Sequence, residues 1–371
     1  MSRESSLNLE VPMAINPEDM LHAQQVLASV QENWLQRPGV TAVDLGFKWS
    51  HGQMTDELAI RVHVQQKKPL SELSEEELFP KEVDGIPVDV IEATYGLQLV
   101  PEGDLQLEAA LDGRDQRFDP IPLGVSIGNK HTTAGTLGAK VLDADTGQEM
   151  ILSNWHVMVG TADPEPDLAI WQPGRLDNGL DNDTIANLSR HVLGPYDAAV
   201  AALNGSRTVG TQTLEGAPIS DAAEPMLGMF VWKSGRTTGR TGGFIDGVQM
   251  SLSIQYSVGV RPLQNVFRIV PRPGAGDIEI SQGGDSGAIW VDETSGKGVG
   301  LHFAGEIGGG PEQALAHALP QVLEYLNVQL PLQGIPPLPP PEEEPVEAPL
   351  IVAEPKSFWQ RIWEWLLSLF Q

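Results

Sequence analysis

Between residues 120 and 320 no apolar stretch runs far before a glycine, a proline or an Asn or Asp turn interrupts it. Helices need ten or more residues of unbroken 3.6 periodicity, and that pattern is scarce here, so this region is confined to short strands joined by turns. The chain's 39 glycines and 29 prolines suit a turn-rich barrel better than a helical or βαβ fold. With 371 residues a sizeable core is available without covalent staples, and none exist, because cysteine is absent. That absence excludes a thiol nucleophile and thiolate metal ligands, and it fits a reducing compartment.

The first hundred residues read differently. Asn16 as cap, Pro17 at the first helical position and Glu18 and Asp19 in the first turn predict a helix over 16–38. Ala23, Val26, Leu27, Val30 and Trp34 form its apolar stripe and Gly39 ends it. ELAIRVHVQ, 57–65, alternates with period two and puts Leu58, Ile60, Val62 and Val64 on one face of a half-buried strand. A short helix is expected over 71–78, with Ser74 and Glu77 in capping-box spacing, and a last strand in IPVDVIEA. Residues 1–115 are therefore expected to be a small α+β module for regulation or assembly.

The other end holds nine prolines and the run Glu342 to Glu344 within 331–355, which reads as an extended linker. Residues 356–371 then form an amphipathic helix with Trp359, Ile362, Trp363, Leu366, Leu367 and Phe370 on one face. It is too short to span a bilayer. Docking on its own domain or on another copy is the favoured reading. Contact with a membrane surface is less favoured, since Lys356 and Arg361 supply little charge. The N-terminus carries no apolar run of the length a secretory leader needs, so a cytoplasmic protein is expected. The formal charge of -27 opposes nucleic-acid binding.

One stretch gives up side chains in the middle of the β-rich region: ISQGGDSGAIWV, 280–291. A serine hydroxyl becomes a useful nucleophile only with a base beside it, a group orienting that base, and donors facing the developing oxyanion. Glycines let two amides converge on one point, here those of Gly284 and Ser286, with Asp285 holding the loop from behind. ILSNWHVM offers His156 after an apolar strand, and PYDAAVAAL offers Asp197 at the mouth of another. A lone histidine after a strand is more often an ordinary surface or core residue. Three such motifs in the order His, Asp, Ser point to one site.

On LSNWHV, DAAV and GDSG the sequence resembles the trypsin-like, chymotrypsin-fold serine peptidases, in particular cysteine-free bacterial forms with relatives in plants. The resemblance covers roughly residues 122–325, including TAGTLGAKV and VWKSGRTTGRTGG. It implies an all-β, chymotrypsin-like double six-stranded barrel over 116–330, its halves meeting near 205–225. It also implies a peptide or protein substrate cleaved through His156, Asp197 and Ser286, with no cofactor. Disulfides of the secreted members are missing and no evident processing site would release a terminus to pair with Asp285, so activation by such a pair is not expected. By the same resemblance GVGLHFAG forms one wall of the primary pocket and Ser281 another. The pattern around His302 is similar to glutamyl endopeptidases, which implies that His302 and Ser281 bind an acidic side chain, His302 more strongly when protonated. A buried histidine beside a pocket for small or apolar side chains is the other reading.

Elsewhere, Arg236, Thr237 and Thr238 read as hairpin structure or as an anion site, with structure preferred. Asp181, Asp183 and the acids near Asp163 form acidic loops that could take calcium, although solvated loops are commoner; no metal site is expected. No nucleotide-binding or zinc motif is present. The functional alternative to a peptidase is a peptide-binding or scaffold protein that keeps the fold without productive catalysis.

Overall fold

The computed structural model describes residues 15–99 and 113–331. All of them lie in one compact unit of the chain, Met1–Pro337, and the second unit, Leu338–Gln371, is outside the described residues, as are the expected linker from residue 332 and the amphipathic helix.

Six strands close on themselves in the second half of the chain. In ring order they are Phe230–Gly235, Ile289–Asp292, Gly298–Glu306, Ala314–Ala318, Gly259–Val270 and Gly239–Tyr256. Each is antiparallel to its neighbours, and Gly239–Tyr256 pairs back onto Phe230–Gly235. Closure removes the free edges that would otherwise expose unpaired backbone donors and acceptors. The first half forms a six-stranded antiparallel sheet in the order Ala169–Trp171, Thr184–Leu193, Asp197–Leu203, Glu149–Ser153, Ala139–Asp143 and Val328–Gln329. Its last strand comes from the far end of the described chain, after the helix Leu319–Tyr325, so the two halves are laced together.

The N-terminal helix forms where its cap and stripe predict it, as Pro17–Leu35, with the Asn16 side chain accepting from the Glu18 amide at 3.0 Å. It ends at Leu35 rather than near residue 38, because the Gln36 amide already turns back to Asn33, and Gly39, at φ +76°, serves the entry to the next strand. Ala23, Val26, Leu27 and Trp34 pack on Val43, Leu45, Ile60 and Val62 of strands Val40–Ser50 and Gln53–Val64. Strand Ile86–Glu92 lies parallel to the second of these. In place of a helix over 71–78 there are two 3-10 turns, Leu70–Glu72 and Glu75–Glu77, the second capped as expected by Ser74 and Glu77.

These strands join the ring. Val40–Ser50 pairs with the middle of the long strand Gly239–Tyr256, so one sheet runs from the N-terminal strands into the barrel. The junction overturns the half-buried reading of 57–65. Leu58, Ile60, Val62 and Val64 do share the helix-facing side, but Ala59, Arg61 and His63 on the other side are fully buried too. Arg61 donates to Asp44 at 2.7 Å and to Asp246 at 3.0 Å, and Arg268 donates to Asp246 at 2.8 Å and to Gln313 at 3.0 Å. Tyr95 completes the cluster, its hydroxyl 2.7 Å from Gln313 Oε1 and 2.9 Å from His63 Nδ1. Burial alone would push the Asp44 and Asp246 carboxyls up, but the guanidinium groups outweigh it and hold both well below the usual range.

Removing one partner of such a cluster leaves an uncompensated buried charge, so Asp246→Ala is expected to lose about 3–5 kcal/mol of unfolding free energy. Urea titration checks this; a loss under 1 kcal/mol would mean that the network holds nothing together.

Candidate active site

His156 sits in a one-turn helix, Trp155–Met158, directly after strand Glu149–Ser153, and Asp197 opens strand Asp197–Leu203. The two strands are paired, Ser153 opposite Ala199, which brings imidazole and carboxylate together. His156 Nδ1 lies 2.5 Å from Asp197 Oδ2, and the His156 amide donates to Oδ1 at 3.2 Å. Asp197 is fully buried. Burial would raise its carboxyl, but His156, His317 and the Tyr256 hydroxyl outweigh that and hold it low. Tyr256 donates to Oδ2 at 2.9 Å, and its own ionisation is pushed far up by burial and by Asp197, so it stays a donor. The Asp197 amide donates to His317 Nε2 at 3.0 Å, and Asn154 donates to the Asp197 carbonyl at 2.8 Å.

Ser286 belongs to the ring half, just ahead of strand Ile289–Asp292. It lines the same small cleft as His156 and Gly284, a cleft closed on another side by Gln98 and Leu99. Imidazole and hydroxyl thus share the cleft without bonding: His156 Nε2 is buried with no partner among the described residues. A larger cavity of about 570 Å³ lies elsewhere, against the N-terminal helix and lined by Met20, Leu227, Val248 and Phe267, and it contains none of these groups.

The loop 283–287 is shaped by its acid. Asp285 is fully buried, 2.9 Å from Lys233 Nζ. It accepts from the amides of Thr237 and Thr238 at 2.8 and 3.0 Å and from the Thr238 hydroxyl at 2.6 Å. Burial opposes its charge, yet Lys233 and Thr238 keep it ionised below the ordinary carboxylate range. Thr237 and Thr238 therefore do bind an anion, the chain's own Asp285, while Arg236 pairs with Asp177. From the other half, Thr136 donates through its hydroxyl to the Gly284 carbonyl at 2.8 Å and through its amide to the Ser286 carbonyl at 2.7 Å. Gly284 stands at φ +95°, which a side chain would strain. The Gly284 and Ser286 amides have no acceptor among the described residues.

Ser281 and His302 are both buried. The Ser281 hydroxyl lies 3.2 Å from Gln98 Oε1 and 3.4 Å from Glu312 Oε1. His302 Nδ1 accepts from the Trp290 indole at 3.4 Å. Burial, with Lys233 nearby, pushes His302 down to about 3. Asp183 accepts from Arg117 at 3.1 Å and from the Leu180 amide at 3.2 Å.

Sequence reasoning missed Lys233, Tyr256, His317 and Gln98. Lys233 alone carried a signal, as a lysine inside the apolar run FVWKSG. The others depend on pairings between residues far apart in the chain.

No family model matches the chain, and no curated protein matches it in sequence. Among solved structures it is similar to the Nocardiopsis protease NAPase, at 18% identity over 57% of this chain and 98% of that one, with a TM-score of 0.42. Protease A of Thermobifida fusca gives 17% identity over the same shares, with a TM-score of 0.43. A glutamic acid specific serine protease gives 20% identity over 57% of this chain and all of that one, with a TM-score of 0.43. The chain's own topology is β-rich, an antiparallel six-stranded sheet bearing His156 and Asp197 followed by a closed antiparallel ring bearing Ser286.

Two outcomes follow. Lys233→Met leaves Asp285 buried and unpaired, so about 3–5 kcal/mol of stability is expected to go. Unchanged urea unfolding would remove Lys233 from its role as the loop's counter-ion. Burial also depresses His63, His302 and His317, the last to about 4, whereas in the unfolded chain such groups titrate near 6.5. The unfolded state then binds more protons below that value, so stability is complete above pH 6.5 and falls as pH drops from there toward 4. Urea midpoints should be lower at pH 5.5 than at 7.5, and less so in His302→Gln; a flat profile would contradict the neutral histidines.

Proposed function

We propose that the protein is a serine endopeptidase. The observation that carries this is the 2.5 Å contact between His156 Nδ1 and the buried Asp197, in one cleft with Ser286 and a loop whose Gly284 and Ser286 amides have no acceptor among the described residues. Ser286 Oγ attacks the peptide carbonyl while His156 Nε2 takes its proton, and Asp197 holds the imidazole by its Nδ1–H and stabilises the imidazolium. The oxyanion accepts from the Gly284 and Ser286 amides. His156 then gives the proton to the leaving amine, and water, activated by the same imidazole, releases the acyl group from Ser286. Tyr256 takes part as a positioning residue through Asp197.

In this reading the first-half sheet and the ring are the two six-stranded barrels of the fold, residues 1–115 are a regulatory or assembly module, and the protein acts in the cytoplasm. The preference for an acidic side chain before the scissile bond has the Ser281 hydroxyl in its favour. Against it stand the Glu312 side chain beside that hydroxyl and the burial of His302, which disfavours its protonated form. The second reading, a peptide-binding protein without turnover, is favoured by one observation: His156 Nε2 has no bond to the Ser286 hydroxyl.

A fluorophosphonate distinguishes the two, since only an activated serine reacts. Ser286 is expected to be labelled in the full chain and not in His156→Ala, and Asp197→Asn should cut peptide turnover by roughly 10⁴. Equal labelling of wild type and His156→Ala, or none of either, would end the endopeptidase reading.

A further inference from the structure

Resting on the site just proposed, we infer that the pocket beside Ser286 is built for an uncharged amide side chain. Its resident occupant is the chain's own Gln98, with Tyr95–Leu99 lying in the cleft as a peptide ligand would.

The segment reaches the cleft as a strand. Tyr95–Gly96 pairs antiparallel with the end of Gly298–Glu306, Gly96 opposite Gly305 and Tyr95 opposite Glu306, and the Ile307 amide donates to the Thr94 carbonyl at 2.9 Å. Adding a strand to a sheet edge is how an extended peptide gains affinity from its main chain while a side chain enters a pocket. Here that side chain is Gln98. Its Oε1 takes the Ser281 hydroxyl at 3.2 Å, and its amide fills the space above Gly305, where a Cβ would stand 2.5 Å from Nε2. Its backbone and that of Leu99 lie along Gly283, whose Cβ would come within 3.0 Å of the Gln98 carbonyl oxygen. Neither carbonyl accepts from the Gly284 or Ser286 amides, so the segment fills the pocket without adopting the attacked geometry. Tyr95 moors it, through His63 and Gln313, to the buried polar cluster.

The pocket's chemistry selects the amide. Glu312 Oε1 accepts from the Ile280 and Ser281 amides, both at 3.1 Å, and lies 3.4 Å from the hydroxyl that Gln98 uses. A carboxylate in place of the Gln98 amide would meet Glu312, whose own ionisation burial already opposes, across that one hydroxyl, so a second ionised acid there is disfavoured both by desolvation and by like charge. An amide offers the same acceptor without the charge. Because occupant and pocket belong to one chain, Gln98 competes at an effective concentration that a free peptide must exceed.

The test uses the full chain carrying Ser286→Ala, so that peptides bind and are not cut. Dye-labelled pentapeptides Tyr-Gly-Leu-X-Leu, with X as Gln, Glu, Lys or Leu, are titrated by fluorescence anisotropy. Hosts carry Gln98, Gln98→Glu or Gln98→Ala. The Gln peptide is expected to bind at least ten-fold more tightly to the Gln98→Glu and Gln98→Ala hosts than to the Gln98 host. It should also bind at least ten-fold more tightly than the Glu peptide. Equal affinities across hosts, tighter binding of the Glu, Lys or Leu peptide, or no binding to any host would overturn the inference. Binding as expected in a chain whose Ser286 resists the fluorophosphonate would retire hydrolysis and leave this inference standing. Labelling without a host difference would do the reverse.

Discussion

A carboxylate with no water around it governs the site. Asp285 is sealed inside the protein and must be neutralised there, and Lys233 together with the Thr237 and Thr238 amides does so. Those donors come from strand Phe230–Gly235 and the turn after it, so the loop can take only the path that carries Asp285 to them. On that path Gly284 and Ser286 line the cleft, and the Gln282 amide donates to Asp285 at 3.1 Å. A lysine already in the chain thus provides the counter-charge, and no released terminus is needed to form it.

The same logic of desolvated charge operates twice more. Asp197, buried under strand Asp197–Leu203, receives donors from His156, Tyr256 and a backbone framework tied to His317, which leaves the imidazole one orientation. Asp44 and Asp246 hold Arg61 and Arg268 where the N-terminal strands meet the ring. The first arrangement orients an imidazole. The second welds a sheet, and through Tyr95 it fixes the segment that enters the cleft. The layer that welds the sheet therefore also holds the segment at the cleft, and a change in it would be felt at both places.

Beside a shared apolar core, the halves are joined at the cleft by short polar links. Thr136, on the His156 side, binds the carbonyls of Gly284 and Ser286 and, through its hydroxyl, the Arg236 amide at 2.9 Å. Such directional contacts fix the loop against the His156 side, while one apolar core that includes Val141, Ile151 and Val200 together with Ile289, Leu301 and Phe303 packs the two halves against each other.

Much of this was legible in the residues. Asn16 and Pro17 announced the helix, the turn-rich texture announced strands, and LSNWHV, DAAV and GDSG announced the three groups of the cleft, because caps, period and motif are local properties of a chain. Partners were not legible. Arg61 looked like the exposed side of an amphipathic strand, and only its pairing with Asp44 and Asp246 makes burial tolerable. His302 read as a ligand for an acidic side chain or as a buried histidine, and only its surroundings, which disfavour its protonation, bear on that choice. Lys233, Tyr256 and Gln98 gained their places only when strands distant in sequence came together. The sequence by itself determined which groups were available and which segments would be strands. The tertiary structure alone decided which charges face one another without water, since desolvation and pairing depend on neighbours that folding brings from elsewhere in the chain.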